Sequence, residues 1–569
     1  MSKNKELAEI FEKIGKALEF KGENQFKVLA YKKASRVIKD LTVDIEEVWK
    51  KGKLREIPGI GEGIAKKIDE YLRTGRMKKY EEAMQGVPEE LLELMDVQSL
   101  GPRTLKLAYD KLGVKTLKDL ERVIEDGSLA RLPGMGQKKV ENIKEGLKIF
   151  KQRAERIPIS IALPLVEKII EYLKEDVNQI APAGSLRRMK ETVGDIDVLA
   201  TAKDGEKIIE KFCKFPDVQK VLAKGTTKGS IIVKGGYQVD LRIVPEESFG
   251  AALQYFTGSK AHNIKLRTIA KSQNLKVSEY GVFRGEEKIA GLTEEEVYGV
   301  FDLPWIPPEI REDRGEIEYA QQHRKVPDLI DYNDLRGDLH IHSRYSDGTA
   351  TIKEIAEFAK EMGYEYIAIT DHSASAKYAH GITPERLEKQ WEEIERVEKE
   401  VGVKILKGIE LEIREKEIDI PVEYLKKMDL VIAGIHTSAK RDMTDVIFWL
   451  CEHPYIDVIA HPTGRLISQR AGYQVDIDAV IKKAKETNTA LEINAYPDRL
   501  DLNDINARKA KEAGVMIMIG SDAHNLGMMR FIRYGIGTAR RGWLSKEDVL
   551  NTLPYDEVIR WLRTHKKKE

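Results

Sequence analysis

From residue 336 onward the sequence alternates between apolar, strand-like runs and helical patterns, and this alternation is the feature that most limits the possible folds. The seven runs are LHIHS, YIAITDHS, KILKGIELEI, LVIAGIHTS, VIAHPT, ALEINAY and VMIMIGSDAH. Strands that alternate with helices are typical of a parallel α/β domain. In nearly every run a polar side chain comes near the C-terminal end. In a parallel barrel these ends meet on one face, where active sites form.

Imidazoles and carboxylates dominate these strand ends. Nine of the 11 histidines lie after residue 335. In GDLHIHSRYSDG, residues 337–348, alternation along a strand points His340 and His342 to the same side. A single buried histidine is usually a hydrogen-bonded core residue, but an ordered series across seven runs indicates a multinuclear metal site. Mixed nitrogen and oxygen ligands do not distinguish zinc, manganese and iron.

The first 150 residues contain short helical patterns separated by glycine-rich turns. In three segments a turn glycine opens a helix: IPGIGEGIAKKI (57–68), LGPRTLKLAYDKL (100–112) and LPGMGQKKVENI (132–143). The glycines predicted to lie against DNA are Gly59, Gly61, Gly101, Gly134 and Gly136. Such turns point backbone N–H groups and the positive end of the helix dipole outward, so phosphate is the expected ligand. One copy would be read as a plain turn between helices. Three copies, which resemble helix-hairpin-helix motifs although the middle one lacks GxG, favour sequence-independent DNA binding.

The stretch APAGSLRRMKETVGDIDVLA, residues 181–200, predicts a phosphoryl-transfer site. Asp195 and Asp197 alternate on one strand, and Asp240 in YQVDLRIV (237–244) offers a third carboxylate from a neighbouring strand. Carboxylates on one strand face can share two divalent ions, which in-line phosphoryl transfer requires. DxD alone would be read as an ordinary polar strand edge, but the preceding GS turn and the later VDLR strand make chance a poor explanation.

This region, followed by ALQYFTGSKAHNIKLR (252–267), resembles the family X DNA polymerases, the DNA polymerase beta-like enzymes, and residues 1–318 follow their order of lyase, fingers, palm and thumb. The resemblance implies that Asp195, Asp197 and Asp240 bind Mg²⁺ as the catalytic carboxylates. It implies nucleotide-binding roles for Gly184, Ser185, Arg188, Gly194, Tyr255, Phe256, Gly258 and Asn263. Arg267 matches a position that faces the template strand. Lys260 departs from the family, which has an acidic residue there.

The same resemblance places a lyase centre in the first domain. Lys67 falls at the lysine that forms a Schiff base with an abasic-site aldehyde, and Lys66 is expected to lower the Lys67 pKa by like-charge repulsion. Tyr31 and Lys27 match positions around the 5′-phosphate pocket. Gly63 stands where the vertebrate repair enzyme has a lysine. Lys67 therefore remains open between a lyase nucleophile and a plain DNA-contacting lysine.

The C-terminal part resembles the polymerase-and-histidinol-phosphatase (PHP) domain, and all nine metal-ligand positions of that family are filled. They are His340, His342, Asp347, His372, Glu410, His436, His461, Asp522 and His524. The resemblance implies a catalytic site that holds Mn²⁺ or Zn²⁺ in a multinuclear arrangement. Residues expected to orient ligands or support the structure are Asp371, Glu492, Asn494 and His380, whereas His453 and His565 are expected at the surface.

The expected fold is multidomain: an all-α helix-hairpin-helix region, an α+β nucleotidyltransferase palm and thumb, and a C-terminal α/β PHP domain forming a distorted TIM-like barrel of about seven strands. The predicted boundaries are 1–85 for a lyase-like helical DNA-binding domain, 86–150 for fingers, 151–248 for the palm, 249–318 for the thumb, 319–335 for a linker and 336–569 for the PHP domain.

Charge and cysteine content bear on DNA binding and on the cellular compartment of the protein. The 95 Lys+Arg residues balance 95 Asp+Glu residues, but residues 1–80 carry 20 basic against 13 acidic residues. The two cysteines, Cys213 and Cys451, form no CxxC motif, and no run is long enough to span a bilayer. A cytoplasmic, disulfide-free protein with no membrane association is therefore expected.

The function that follows is that of a bacterial or archaeal-type family X DNA polymerase for short-gap filling in base-excision repair. Its PHP domain is expected to act as a metal-dependent 3′-5′ exonuclease, an abasic-site endonuclease, or both. The expected partners are gapped or nicked DNA and dNTPs, and the expected state is a monomer. Two alternatives remain: a PHP domain that hydrolyses phosphomonoesters, in which Arg465, Arg470, Arg499 and Arg530 near strand ends would serve equally well, and a DNA-bridging scaffold with structural metals.

Overall fold

The structure, a computed structural model, describes residues 3–39, 45–57, 59–95, 97, 99–436, 441–564 and 566. The chain forms two compact units, residues 1–155 and 156–569. Among the described residues no helix combines the length and apolar character needed to cross a membrane.

The first unit is helical throughout its described part, as the glycine-punctuated sequence predicts. Its helices are α1 (Lys3–Phe20), α2 (Gln25–Lys39), α3 (Ile45–Lys50), α4 (Glu62–Thr74), α5 (Lys78–Met84), α6 (Glu89–Leu94), α7 (Pro102–Leu112), α8 (Leu117–Glu125) and α9 (Gln137–Glu155). Apolar side chains such as Phe11, Ile68 and Leu91 are fully buried in one core. Helices α4, α7 and α9 each begin directly after a motif glycine, so the predicted turn-to-helix design is present three times.

The second unit opens with a mixed five-stranded sheet in the order β2-β4-β7-β6-β5. The elements in this part of the second unit are β1 (Ile157–Pro158), α10 (Ile159–Leu173), β2 (Gln179–Pro182), α11 (Gly184–Arg187), β3 (Thr192–Val193), β4 (Ile196–Thr201), α12 (Gly205–Cys213), β5 (Val218–Lys224), β6 (Lys228–Val233) and β7 (Tyr237–Ile243). Strands β4 and β7 run parallel, and their register pairs Asp197 with Asp240. The apolar faces of α10 and α12 pack on the same core as β4 and β7.

Helices and a small antiparallel sheet follow the palm. They are α13 (Phe249–Thr257), α14 (Lys260–Ser272), β8 (Lys276–Ser278), β9 (Gly281–Arg284), β10 (Glu287–Ala290), α15 (Glu294–Gly299) and α16 (Glu316–His323). The stretch predicted as a linker, 319–335, begins inside α16. It then packs against the barrel, because Ile330 is fully buried and its N–H donates to the carbonyl of Leu544 at 2.8 Å.

The C-terminal part is a sheet of seven parallel strands in chain order, β11 to β17. The strands are β11 (Gly337–Ile341), β12 (Tyr366–Ile369), β13 (Lys404–Glu412), β14 (Leu430–Gly434), β15 (Val458–Ile459), β16 (Ala490–Asn494) and β17 (Ile517–Gly520). The helices are α17 (Ile352–Glu361), α18 (Pro384–Val401), α19 (Val422–Leu425), α20 (Thr444–Glu452), α21 (Ile477–Thr487), α22 (Asp504–Ala513), α23 (Leu526–Met529), α24 (Ile532–Arg541) and α25 (Tyr555–Thr564). A parallel bridge between Ile341 and Ala523 nearly closes the barrel, which confirms the predicted fold class.

Candidate active sites

The palm brings three predicted carboxylates together: one directly before β4, one in β4 and one in the middle of β7. Asp195 and Asp197 lie two residues apart at the start of β4, so both face the side on which Asp240 stands in β7. Gly184 has a left-handed φ of 64°, and a Cβ there would lie 2.9 Å from Asp197 Oδ2. The glycine therefore lets the following turn approach the carboxylates closely.

The charges of these carboxylates are strongly coupled. Burial, reinforced by the negative charges of Asp195 and Asp240, raises the pKa of Asp197 to about 6. Burial alone would raise the pKa of Asp240 as well, but hydrogen bonds from Gln238 and Lys228 hold it below its usual value. Crowded oxygen donors of this kind suit hard divalent cations, which would relieve the repulsion.

The predicted nucleotide-binding residues form a hydrogen-bonded wall beside α13. Arg188 donates through Nη1 to the carbonyl of Thr257 at 2.7 Å. Asn263 donates to the carbonyls of Tyr255 at 2.7 Å and Gly258 at 3.2 Å. The triphosphate turn and the sugar turn expected from the resemblance are thereby tied together. The remaining nucleotide-binding candidates are Ser185 in α11, Gly194 directly before Asp195 and Phe256 against the guanidinium of Arg242. Arg267, which is predicted to face the template strand, is exposed on α14.

In the first unit, Lys67 and Tyr31 come together. Lys67 Nζ lies 5.8 Å from the centre of the Tyr31 ring and donates to the carbonyl of Gly63 at 2.8 Å. Burial, followed by the charge of Lys79, lowers the pKa of Lys67. The expectation that Lys66 lowers it is wrong, because Lys66 points to Glu62 at 2.9 Å. Lys27 is exposed and lies 3.6 Å from Glu23.

The barrel gathers all nine predicted ligand residues at the C-terminal ends of its strands. Glu410 in β13 is central: its carboxylate lies 3.0 Å from His372 Nδ1 and 3.2 Å from His461 Nε2. Among the residues that the structure describes, three groups have ligand atoms within 4.8 Å of one another: His342, Asp347, His372 and His524; His340, His342 and Glu410; and His372, Glu410 and His436. Asp522 joins them through a contact of 3.1 Å between its Oδ1 and His342 Nε2.

Buried polar atoms without partners test whether this cluster suits metal. Five buried atoms make no hydrogen bond of good geometry to a described residue: His340 Nε2, His342 Nδ1, His372 Nδ1, Glu410 Oε2 and His461 Nδ1. Glu410 Oε2 nevertheless lies 3.0 Å from His372 Nδ1 and 3.4 Å from His340 Nε2, so these atoms crowd one another without being satisfied. Native interiors leave few buried polar atoms unsatisfied, and each one costs free energy. So many in one cluster of imidazoles and carboxylates fit a multinuclear metal centre.

Two imidazoles and the central carboxylate of the cluster have charge states that suit metal, whereas nearby carboxylates, acting against burial, raise the pKa of His340, that of His372 and that of His524, the last to about 9. Burial and the neighbouring His524 lower the pKa of His342 to about 3, and burial with Arg499 lowers that of His461 to about 3. Burial alone would raise the pKa of Glu410, but His372 and His436 hold it well below its usual value. Neutral imidazoles and an ionised carboxylate are the forms that coordinate metal.

Polar groups behind the ligands fix their orientation. Glu492 Oε1 lies 2.6 Å from His340 Nδ1, which leaves Nε2 of that ring facing Glu410. Asn494 donates to Asp522 Oδ2 at 3.1 Å. Asp371 accepts hydrogen bonds from Ser343, Ser346 and Gln390. His380 has a φ of 54° in the loop after β12, His453 is half-buried, and His565 lies outside the described residues.

Sequence reasoning missed two residues at this site. Glu412 Oε2 lies 2.7 Å from His436 Nδ1 and accepts a hydrogen bond from the Tyr378 hydroxyl at 2.8 Å. Because β13 alternates, Glu412 points to the same side as Glu410, and the spacing in KGIELEI was the available signal. Tyr378 carries no such signal, since it lies in a loop far from its partners in sequence.

The four arginines considered for substrate binding differ in position. Arg499 Nε lies 3.7 Å from Asp522 Oδ2. Burial, and then the charge of Arg499, lower the pKa of Arg470. Arg465 instead donates to Glu191 at 2.7 Å, and Arg530 lies over the Phe358 ring at 5.1 Å. Of the four, Arg499 therefore contacts a predicted ligand, and Arg470 lies close enough to Arg499 to feel its charge.

Comparisons with known proteins agree with the order of the domains along the chain. Family models match residues 2–77 as a helix-hairpin-helix domain, 91–148 as a SAM-like helix-hairpin-helix tandem, 252–312 as a DNA polymerase beta thumb and 338–496 as a PHP domain. The DNA polymerase/3′-5′ exonuclease PolX of Bacillus subtilis is 39% identical over 98% of this chain and 99% of its own length. A probable phosphatase of Thermoanaerobacter sp. is 33% identical over 41% of this chain and 96% of its own length. DNA polymerase lambda of Arabidopsis thaliana is 27% identical over 54% of this chain and 62% of its own length.

Proposed function

The chain belongs to the family X DNA polymerases that carry a C-terminal PHP domain, and we propose that it fills short gaps in DNA during base-excision repair and degrades DNA from its 3′ end. The observation that carries this proposal is the coexistence of two complete ligand sets in one folded unit. One is the palm triad of Asp195, Asp197 and Asp240, and the other is the nine-residue cluster of the barrel.

The palm residues divide the work of nucleotidyl transfer. Asp195, Asp197 and Asp240 would hold Mg²⁺, since oxygen-only ligands favour hard cations. Arg188 and Ser185 would bind the triphosphate. The turn from Tyr255 to Gly258 would line the sugar of the incoming nucleotide.

The barrel residues divide the work of hydrolysis. Their mixture of imidazole and carboxylate favours Mn²⁺ or Zn²⁺. Divalent ions held by the two ligand sets would neutralise phosphate charge and lower the pKa of bound water. Arg470 and Arg499 would bind the phosphate of the DNA backbone, and Glu492 would keep His340 in its ligating tautomer.

The first unit would bind DNA without regard to sequence, in agreement with its helix-hairpin-helix matches. Helices begin directly after Gly61, Gly101 and Gly136, and the backbone N–H groups at these helix starts would contact phosphates. Lys67, next to Tyr31 and with a lowered pKa, would act as the lyase nucleophile or as a DNA contact.

Two assays test the proposal. A one-nucleotide gapped duplex with Mg²⁺ and dNTPs should be extended by one nucleotide, and a 3′-labelled single strand with Mn²⁺ should release its label as a mononucleotide. The double variant Asp240→Ala/His342→Ala is the matched control for a contaminating enzyme and should do neither. A scaffold that only bridges DNA would bind the duplex yet incorporate nothing.

A second candidate for the barrel is phosphomonoester hydrolysis, because probable phosphatases match 41% of the chain. Para-nitrophenyl phosphate and its bis-ester distinguish the two. A diesterase hydrolyses the bis-ester and the 3′-labelled strand, whereas a monoesterase hydrolyses the monoester and leaves the strand intact.

A further inference from the structure

One helix of the barrel, α24, packs directly on the turn that follows the GSLR segment of the palm. A Cβ at Gly537 would lie 2.7 Å from Met189 Cε and 3.1 Å from Met189 Cβ. Met189 itself has a left-handed φ of 54°. The backbone of α24 therefore approaches the residue next to Arg188 more closely than any larger residue would allow.

The last residue of α24, Arg541, reaches from the barrel into this turn. Its Nη1 donates to the carbonyl of Arg188 at 2.8 Å and to Glu312 Oε1 at 2.9 Å. Its Nη2 donates to Asp504 Oδ2 at 2.8 Å. Only 4% of the Arg541 side chain is exposed, so these charge-assisted bonds form away from water, where they are strong.

Arg188 shares an acceptor with Arg541. Arg188 Nε donates to the same Glu312 Oε1 at 2.9 Å, and its Nη1 donates to the carbonyl of Thr257. Within residues 99–436 and 441–564, Arg188 Nη2 makes no hydrogen bond and stays available to a ligand. Arg541 thus fixes both the backbone of Arg188 and the carboxylate that aims its guanidinium.

We propose that Arg541, a residue of the barrel, is a positioning residue for nucleotide binding in the palm. It acts through Arg188 and Glu312 and touches no substrate. This inference rests on the proposed polymerase function and adds that the barrel supplies part of the nucleotide-binding geometry. The two domains are then functionally linked even though their metal ligands are separate.

The neighbouring Arg540 offers a matched control. Its Nε donates to Glu309 at 2.8 Å and its Nη1 to the carbonyl of Ile330 at 2.6 Å. It is therefore also a mostly buried arginine of α24 that bonds outside the barrel, but none of these bonds involves Arg188 or Glu312. Arg540→Met removes a comparable set of interactions without disturbing the positioning proposed for Arg541.

The test is steady-state single-nucleotide gap filling by the full chain, with kcat and KM for the dNTP measured separately. Arg541→Met should raise the KM by about tenfold or more, and Arg540→Met should change it less than about threefold. In an Arg188→Met background, Arg541→Met should add nothing further, because it acts through the side chain already removed. Hydrolysis of the bis-ester should stay within about twofold in both single variants, which reports an intact barrel.

Equal KM values for Arg541→Met and Arg540→Met would overturn the inference, as would additive losses in the Arg188→Met background. If Arg541→Met does not fold, as judged by circular dichroism, Arg541→Lys carries the same test. It keeps the charge but loses the two-pronged geometry, so an intermediate KM is expected and a wild-type KM refutes the inference. Failure of the wild-type protein to incorporate any dNTP would instead refute the proposed function itself.

Discussion

Removing metal from the barrel should destabilise the second unit by a measurable amount. Five buried polar atoms of the cluster have no hydrogen-bond partner among the described residues, and metal coordination would satisfy them. At the lower end of the cost of an unsatisfied buried group, about 1 kcal/mol each, the metal-free protein loses about 5 kcal/mol. With about 2.1 cal/mol/K of unfolding entropy per residue over roughly 400 residues, the unfolding midpoint falls by about 6 °C.

The assay is scanning calorimetry of metal-loaded and chelator-treated protein, with metal content measured on the same samples. His342→Ala serves as the matched variant: it removes a ligand, so its midpoint should differ little between the two treatments. The reasoning is refuted if chelation strips the metal from the wild-type protein and the midpoint does not move. It is equally refuted if His342→Ala retains the full metal-dependent shift.

Three further predictions concern the separate activities. Asp240→Ala should reduce gap filling more than about a hundredfold and leave 3′-end hydrolysis intact, and His342→Ala should do the reverse. Loss of both activities from either change in a folded protein would contradict the presence of two separate sites. DNA affinity measured by fluorescence anisotropy should fall linearly on a log–log plot against salt and vary little with sequence, whereas a flat response would exclude phosphate binding by the glycine turns. Borohydride should trap the protein on 5′-incised abasic DNA, and Lys67→Ala should lose most of the trapped product if Lys67 is the nucleophile. Undiminished trapping by Lys67→Ala would assign the role to Lys27 or Lys66.

The local features of the sequence predicted the barrel site well. The polar residues lie near the ends of the apolar runs, and parallel strands bring their C-terminal ends to one face whatever the detailed packing. His342, His372 and His461 each follow directly or within a few residues the strand predicted to carry them. The helix starts predicted after the turn glycines are present for the same reason, because a helix start depends on a few adjacent residues.

Predictions that depended on side-chain direction or distant contacts were less successful. Lys66 is adjacent to Lys67 in sequence, but on a helix neighbours point apart, and Lys66 pairs with Glu62 one turn earlier. Glu412 was not predicted although it shares a strand face with Glu410, because alternation alone does not show how far along the strand the cluster extends. Two partners of Arg188, Glu312 and Arg541, lie more than 100 residues away, and a single sequence carries no signal for such contacts.

The packing between palm and barrel gives a reason why one chain would keep the two chemistries together. Leu500 and Tyr534 of the barrel are buried in the same apolar core as the palm strands, and Trp543 is buried with the residues of α14 to α16. Separating the domains would expose this apolar surface and strip Arg541 of its buried partners, leaving charges whose isolation is costly. Point changes in metal ligands can therefore separate the activities, but deletion of the barrel should impair polymerisation as well, because it removes both a packing surface and the guanidinium that orients Arg188.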